Sequence, residues 1–112
     1  MDRMEERVVD QREPENLGPD GRVFWKTALL EREFTEIHDL ARLAIAAKCL
    51  DEIRADEETL RIEGRFTSDR FNRSIPHPAV RTLSENRTCF LRVIRELGLD
   101  QVNGDTGQLK IF

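Results

Sequence analysis

The chain has 112 residues, with 36% charged and 38% apolar side chains and a formal net charge of −4. That length fits one domain with a modest core, and the charged fraction suits long helices with solvated faces. The acidic balance excludes a whole-molecule attraction to nucleic acid, and no apolar run approaches the ~20 residues a membrane-crossing helix needs.

Residues 1–15 are dense in charge with almost no apolar periodicity, and read as a flexible acidic arm. In the stretch NLGPDGRVFWKTALL that follows, Pro19 fits a first helical position, because its missing N–H would be unpaired there anyway. Asp20 suits the positive end of the helix dipole. Val23, Phe24 and Ala28 form an apolar stripe with Trp25 beside it and Leu29 or Leu30 beyond, so a first helix is expected over about 19–32. Gly18 and Gly21 then belong to a helix start. The rival is the Gly-x-x-Gly loop with which a KH domain clamps nucleic-acid backbone. That loop lies between two helices of a sheet-containing fold, and no strand or helix pattern precedes it here.

Thr35 is the expected N-cap of a second helix, with Glu36 and Asp39 in its first turn. The helix is expected over about 36–63, ending at Gly64 in a left-handed position; about 28 residues span roughly 42 Å. Leu40, Leu43, Ala47 and Leu50 recur at the 3-4-3 spacing of a coiled-coil seam. Ala41, Ala44, Ile45, Ala46 and Cys49 fill the other faces. One hairpin partner does not cover that circumference, so either the first helix or another subunit packs behind it. Leu40, Ala44, Ala47 and Leu50, with Phe90 of the third helix, are the candidate subunit contacts. Beyond Ile53 only Leu60 and Ile62 are apolar, and this end is expected to project into solvent. Cys49 and Cys89 lack metal-type spacing and read as reduced core thiols rather than a disulfide.

Residues 65–77 form an unusually long connection with Phe66, Phe71 and Ile75 as its apolar points, either irregular or a short β-hairpin. Pro78 again fits a first helical position, with His77 before it. Ala79, Leu83, Asn86, Phe90, Val93 and Leu97 mark one face of a third helix over about 78–97, widened by Val80, Leu91 and Ile94. Asn86 either fixes register on the seam or lies at a solvated edge. Gly98 stops the helix and Leu99 folds back on it, as in a Schellman motif. In the tail, 100–112, the Asn103–Gly104 turn signal precedes an alternating Leu109-Lys110-Ile111. It is either an unstructured tail or a strand that pairs with a neighbour.

The chain has no P-loop, HExxH, zinc-spaced cysteines or Gly-rich dinucleotide loop. His38 and His77 have no obvious nucleophile nearby in sequence. The acidic run Asp51, Glu52, Asp56, Glu57 and Glu58 lacks the Glu-x-x-His of di-iron bundles and reads as a solvated helix face. No enzymatic activity, cofactor or metal is expected. The cations say more. Residues 1–63 hold 17 acids and 10 lysines or arginines, a balance of −7, whereas residues 64–112 hold 5 and 8, a balance of +3. Arg61, Arg65, Arg70, Arg73, Arg81 and Arg87 face only Glu63, Asp69 and Glu85 in their stretch, and arginine grips phosphate in bidentate fashion. Phe66 and Phe71 are interleaved with them. Such a loop tracks a nucleic-acid backbone, or it is an ordinary surface loop whose phenylalanines are tucked into the core. A ring would repeat the patch and gain by avidity.

Taken together, "LGPDGRVFW" opening a helix, "DLARLAIAAKCLDEI" in a long Ala-rich helix, and "IPHPAVRTLSENRTCFLRVIRELGL" resemble the small terminase subunits of tailed bacteriophages, in the cos-type group. The resemblance covers about residues 17–99. Its most specific part is His77-Pro78-Ala79-Val80 leading into a helix that ends Glu96-Leu97-Gly98-Leu99. It implies a non-enzymatic DNA-recognition protein of the host cell cytoplasm. Such a protein forms an oligomeric ring, binds the packaging start site on phage DNA, and regulates the ATPase and nuclease of the large terminase subunit. Many relatives carry a basic N-terminal arm, whereas this one is acidic. By charge, the candidate DNA contacts are therefore Arg22 and Lys26 of the first helix and Arg65, Arg70, Arg73 and Arg81.

The expected protomer is all-α: a short helix packed on a long antiparallel helical hairpin over 16–99, between the arm 1–15 and the tail 100–112. Its expected partners are phage DNA, the large subunit and further copies of itself. The alternatives are a dimeric helical DNA-binding regulator, for which no compact helix-turn-helix with a basic recognition helix is apparent, and a non-catalytic protein–protein adaptor.

Overall fold

The structure, a computed structural model, describes residues 13–34 and 36–100. Most of the arm, Thr35 as a helix cap, and the tail from 101 onward lie outside the described residues. Helices α1 (Pro19–Glu31), α2 (Ile37–Glu63) and α3 (Pro78–Glu96) carry the fold, with strands β1 (Phe66–Ser68) and β2 (Ser74–Pro76) between α2 and α3. The chain is thus mostly helical, with a hairpin where the sequence left the choice open.

Helix α1 opens with Pro19 as its first residue and Gly18 as its N-cap, and no side chain of its own caps it. A capping box would use the side chains of the N-cap and third residues, but both positions are glycine. Asp51 of α2 makes both bonds instead: Oδ2 accepts from the Gly18 N–H and Oδ1 from the Gly21 N–H, each at 2.7 Å. Gly21 is where the two helices cross. A Cβ there would overlap the Asp51 carboxylate and come within 2.6 Å of the Ala47 carbonyl oxygen. Asp51, expected on a solvated acidic face, is therefore a cap supplied by a neighbouring helix. Gly21, Phe24, Trp25 and Ala28 are buried at i, i+3, i+4 and i+7. The stripe is rotated away from Val23, which is 65% exposed rather than in the core.

Helix α2 is covered by its own chain. Leu40, Leu43, Ala46, Ala47, Leu50 and Ile53 are buried between α1 and α3. This corrects the expected subunit contacts: Leu40, Ala47, Leu50 and Phe90 are core residues of the protomer, and Ala44 is half-buried against them. The physical reason is that α1 packs on the face α3 leaves open. Of the large apolar side chains from Leu40 to Ile53 only Ile45 stays outside, 48% exposed. The far end of α2 does not project alone either. Leu60 is buried, the Thr82 hydroxyl donates to Asp56 Oδ2 at 2.8 Å, and Arg87 donates to Glu57 Oε2 at 2.9 Å. With Arg42 facing Glu96 at 3.8 Å at the opposite end, α2 and α3 run antiparallel.

Gly64 ends α2 with φ +84° and ψ 168°, a region open essentially to glycine alone and not the left-handed helical one expected. His77 caps α3, its Nδ1 accepting from the Ala79 N–H at 3.0 Å. At the other end, bonds from the Gly98 N–H to the Arg95 carbonyl and from the Leu99 N–H to the Ile94 carbonyl make the expected Schellman motif. Ala79, Leu83, Phe90, Val93 and Ile94 are buried and Asn86 is half-buried, but Leu91 is 52% exposed and does not widen the stripe.

The core is centred on Trp25, Phe90, Leu43 and Ile53. Phe24 meets Phe90 edge-on with ring centroids 5.4 Å apart, joining α1 to α3. The Trp25 Nε1–H is buried without a hydrogen-bond partner. Cys49 and Cys89 are free thiols in contact across α2 and α3; burial, with the Cys89 contact adding to it, pushes the Cys49 thiol up to about 12. Among the described residues no helix is long and apolar enough to cross a membrane.

Candidate nucleic-acid interface

The stretch SDRFNRS folds into the tip of the hairpin. Ladder partners are Phe66 with Pro76, Thr67 with Ile75 and Ser68 with Ser74. One rung further, the Asp69 N–H donates to the Arg73 carbonyl at 3.0 Å, and the Asn72 N–H closes a turn on the Asp69 carbonyl at 2.9 Å. Asn72 has φ +61°, a left-handed position that Asn tolerates better than most residues. The result is the three-residue hairpin loop that follows a turn with one left-handed residue.

Asp69 braces this loop. Its Oδ1 accepts from the backbone N–H groups of Phe71 at 2.8 Å and Arg73 at 2.9 Å, and its Oδ2 accepts from Arg73 Nε at 3.0 Å. The Arg73 backbone N–H, then that of Phe71 and the Arg73 guanidinium, hold the Asp69 carboxyl below the usual carboxylate range. On this frame Phe71 is 63% exposed, with the guanidinium carbons of Arg70 and Arg73 at 4.9 and 5.1 Å from its ring centroid. Both are within cation–π range.

The base of the hairpin is held by His77. Its N–H donates to the Arg65 carbonyl at 2.7 Å. Because Nδ1 accepts from Ala79, the ring proton belongs on Nε2, which donates to Glu63 Oε1 at 2.9 Å. One residue therefore joins the last turn of α2, the foot of β1 and the first turn of α3.

The structure brings Arg70 and Arg73 together at the hairpin tip, leaves Arg65 at its foot, and places Arg81 on α3 beside β2. Between β2 and α3 runs a shallow apolar groove lined by Ile75, Pro76, Pro78 and Val80, with Arg81 and Glu85 among its lining residues. Arg73 is paired with Asp69 and Arg81 with Glu85, but Arg65 and Arg70 have no carboxylate partner among the described residues. Arg61 is held by Glu58 at 2.6 Å, and Arg87 by Glu57. Arg22 and Lys26 are not part of the group. Gly21 crosses α2 at Ala47, and the hairpin begins after Glu63, so α1 starts roughly 24 Å away along α2. Arg22 there pairs with Glu13 at 2.8 Å.

Phe66 and Phe71 are 66% and 63% exposed and not tucked into the core, since both strands of the hairpin stand outside it along their whole length. Asp69 and Asn72 were missed as loop organisers, although Asp and Asn flanking a turn are a readable signal. Among the described residues no group of three or more His, Cys, Asp or Glu is placed to hold a metal ion. No family model, curated protein or solved structure matches the chain.

Proposed function

We propose that the protein is a non-catalytic DNA-binding subunit, of the kind its resemblance to phage terminase small subunits implies, and that it meets the phosphate backbone through the hairpin between α2 and α3. One observation carries the reading. In a chain of net charge −4, Arg70 and Arg73 stand at the tip of an exposed, internally braced hairpin with Arg65 at its foot, and Arg65 and Arg70 have no carboxylate partner among the described residues. Guanidinium groups match phosphate oxygens in bidentate geometry. In this reading several copies assemble into a ring in the host cytoplasm and regulate the large terminase subunit. Since Leu40, Ala47, Leu50 and Phe90 are internal, the contact between copies falls to outward apolar residues: Val23, Leu30, Ile37, Ile45 and Leu91 are 48–82% exposed.

The test is fluorescence anisotropy with duplex DNA between about 50 and 200 mM salt, beside an absolute mass measurement of the particle. Three phosphate contacts per chain give a slope of log K against log salt of about −2.7 for each engaged protomer. Arg65→Ala with Arg70→Ala should remove about two-thirds of it. A folded protein that binds no duplex at the lowest salt refutes DNA binding, and a particle that stays monomeric at high concentration refutes the ring. An adaptor that binds only protein is the second reading. It is favoured by the groove of Ile75, Pro76, Pro78 and Val80, which suits an extended apolar peptide.

A further inference from the structure

We infer that Phe71 is a wedge: the hairpin tip enters the minor groove of duplex DNA, Phe71 opens one base step, and the duplex bends away from the protein. This rests on the DNA-binding reading above and adds to it what the loop does to its ligand. A large apolar side chain that is 63% exposed stands at the tip of a polar hairpin. The strands behind it lie about 4.8 Å apart before side chains are added. A minor groove about 6 Å wide therefore admits the tip but not the ribbon.

The charges around the ring favour that groove. The narrow minor groove concentrates negative potential and draws arginine into it, and Arg70 and Arg73 flank the ring at 4.9 and 5.1 Å. Phe71 as a platform for an unpaired base is the weaker fit. Stacking on one unpaired base would use the ring alone and leave the two flanking guanidiniums without a second strand's phosphates to meet. Insertion instead carries both cations towards the phosphates on either side of the opened step.

A wedge also needs a stiff mount, since unstacking a step costs energy that a floppy loop would avoid by bending itself. The three Asp69 side-chain bonds at the tip and the His77 bonds at the base supply it. Pyrimidine–purine steps open most easily, so a TA step is the expected site of insertion.

The experiment uses the full chain and a duplex of about 30 base pairs, with dyes at its ends and 2-aminopurine beside a central TA step. Binding of the unaltered protein should bring the ends closer, as a bend of roughly 20–90° requires, and raise the 2-aminopurine signal. Phe71→Ala should abolish both changes while leaving the salt slope intact, since that slope is set by phosphate contacts, so that any loss of affinity is the same at every salt concentration. Phe71→Leu, which keeps an apolar wedge, should retain a partial bend. A normal circular-dichroism melt controls for folding.

Tight binding with no change in end distance or base fluorescence overturns the wedge and leaves the DNA-binding reading standing, as does a Phe71→Ala protein that bends DNA like the parent. A Phe71→Ala defect confined to single-stranded DNA overturns it in favour of base stacking. No binding to any DNA at low salt overturns both readings.

Discussion

Replacing Gly21 by alanine should weaken this protein, although alanine in a helix ordinarily stabilises by about 0.5–1 kcal/mol relative to glycine. The added Cβ would stand 2.6 Å from the Ala47 carbonyl oxygen, where ordinary contact begins at 3.4 Å. Helix α1 would have to retreat from α2 by about 0.8 Å, and the two 2.7 Å bonds from Gly18 and Gly21 to Asp51 would stretch out of hydrogen-bond range. Bonds to a charged group contribute about 1.5–3 kcal/mol each. Against the propensity gain, the net loss is about 2–5 kcal/mol. Urea unfolding followed by circular dichroism measures it. Asp51→Ala removes the same two bonds without the clash, so the double variant should fall well short of the sum of the singles. A Gly21→Ala protein as stable as the parent, or more so, would show that the close crossing and the borrowed cap do not hold α1 in place.

Cys49, with its thiol at about 12, has roughly one thiolate in ten thousand or fewer at pH 7.5; iodoacetamide should label it only after unfolding, and peptide-like labelling of the native chain contradicts its burial. Asp69 is held below its ordinary range, so its bracing of the hairpin tip is complete above the unfolded value near 3.9 and lost as pH falls through its lower folded value. Amide resonances of Phe71 and Arg73 should follow that titration with a midpoint below the peptide value; a midpoint at or above it counts against the brace. Trp25→Phe deletes an unpaired indole N–H, which costs about 1–3 kcal/mol where it is, and so offsets most of the lost volume. Its loss should be far smaller than the 3–5 kcal/mol typical of Trp25→Ala; equal losses from the two variants would mean the N–H is satisfied.

Helix limits were legible because they depend on local chemistry. Pro19 and Pro78 stand at first helical positions, and Gly98 with Leu99 closes α3 through the bonds their spacing allows. The 3-4-3 spacing of Leu40, Leu43, Ala47 and Leu50 identified buried positions, but it carries no information on which neighbour buries them. That is why core residues were read as subunit contacts, when α1 supplies the cover. Val23 and Leu91 fell on the wrong side of their stripes because a turn of one residue, about 100° of helix rotation, separates core from surface. Asp51 is invisible to local reasoning, since its donors lie 30 and 33 residues away. At the candidate site the surplus of arginine was readable by counting. Which arginines are engaged was not: Arg61 and Arg81 find carboxylates one helical turn away, Arg87 finds one on another helix, and Arg65 and Arg70 find none among the described residues.

His77 gives the loop a consequence beyond its own bonds. From the Arg65–His77 foot to Phe71 the hairpin is a lever about 17 Å long. A swing of roughly 10° at the foot would carry the tip about 3 Å, close to the 3.4 Å spacing of successive nucleotides. In the DNA complex proposed above, the registry of the tip along the duplex would therefore be decided at an imidazole that never touches it. A substitution there would blur the spacing of contacts along the polymer without removing a single positive charge.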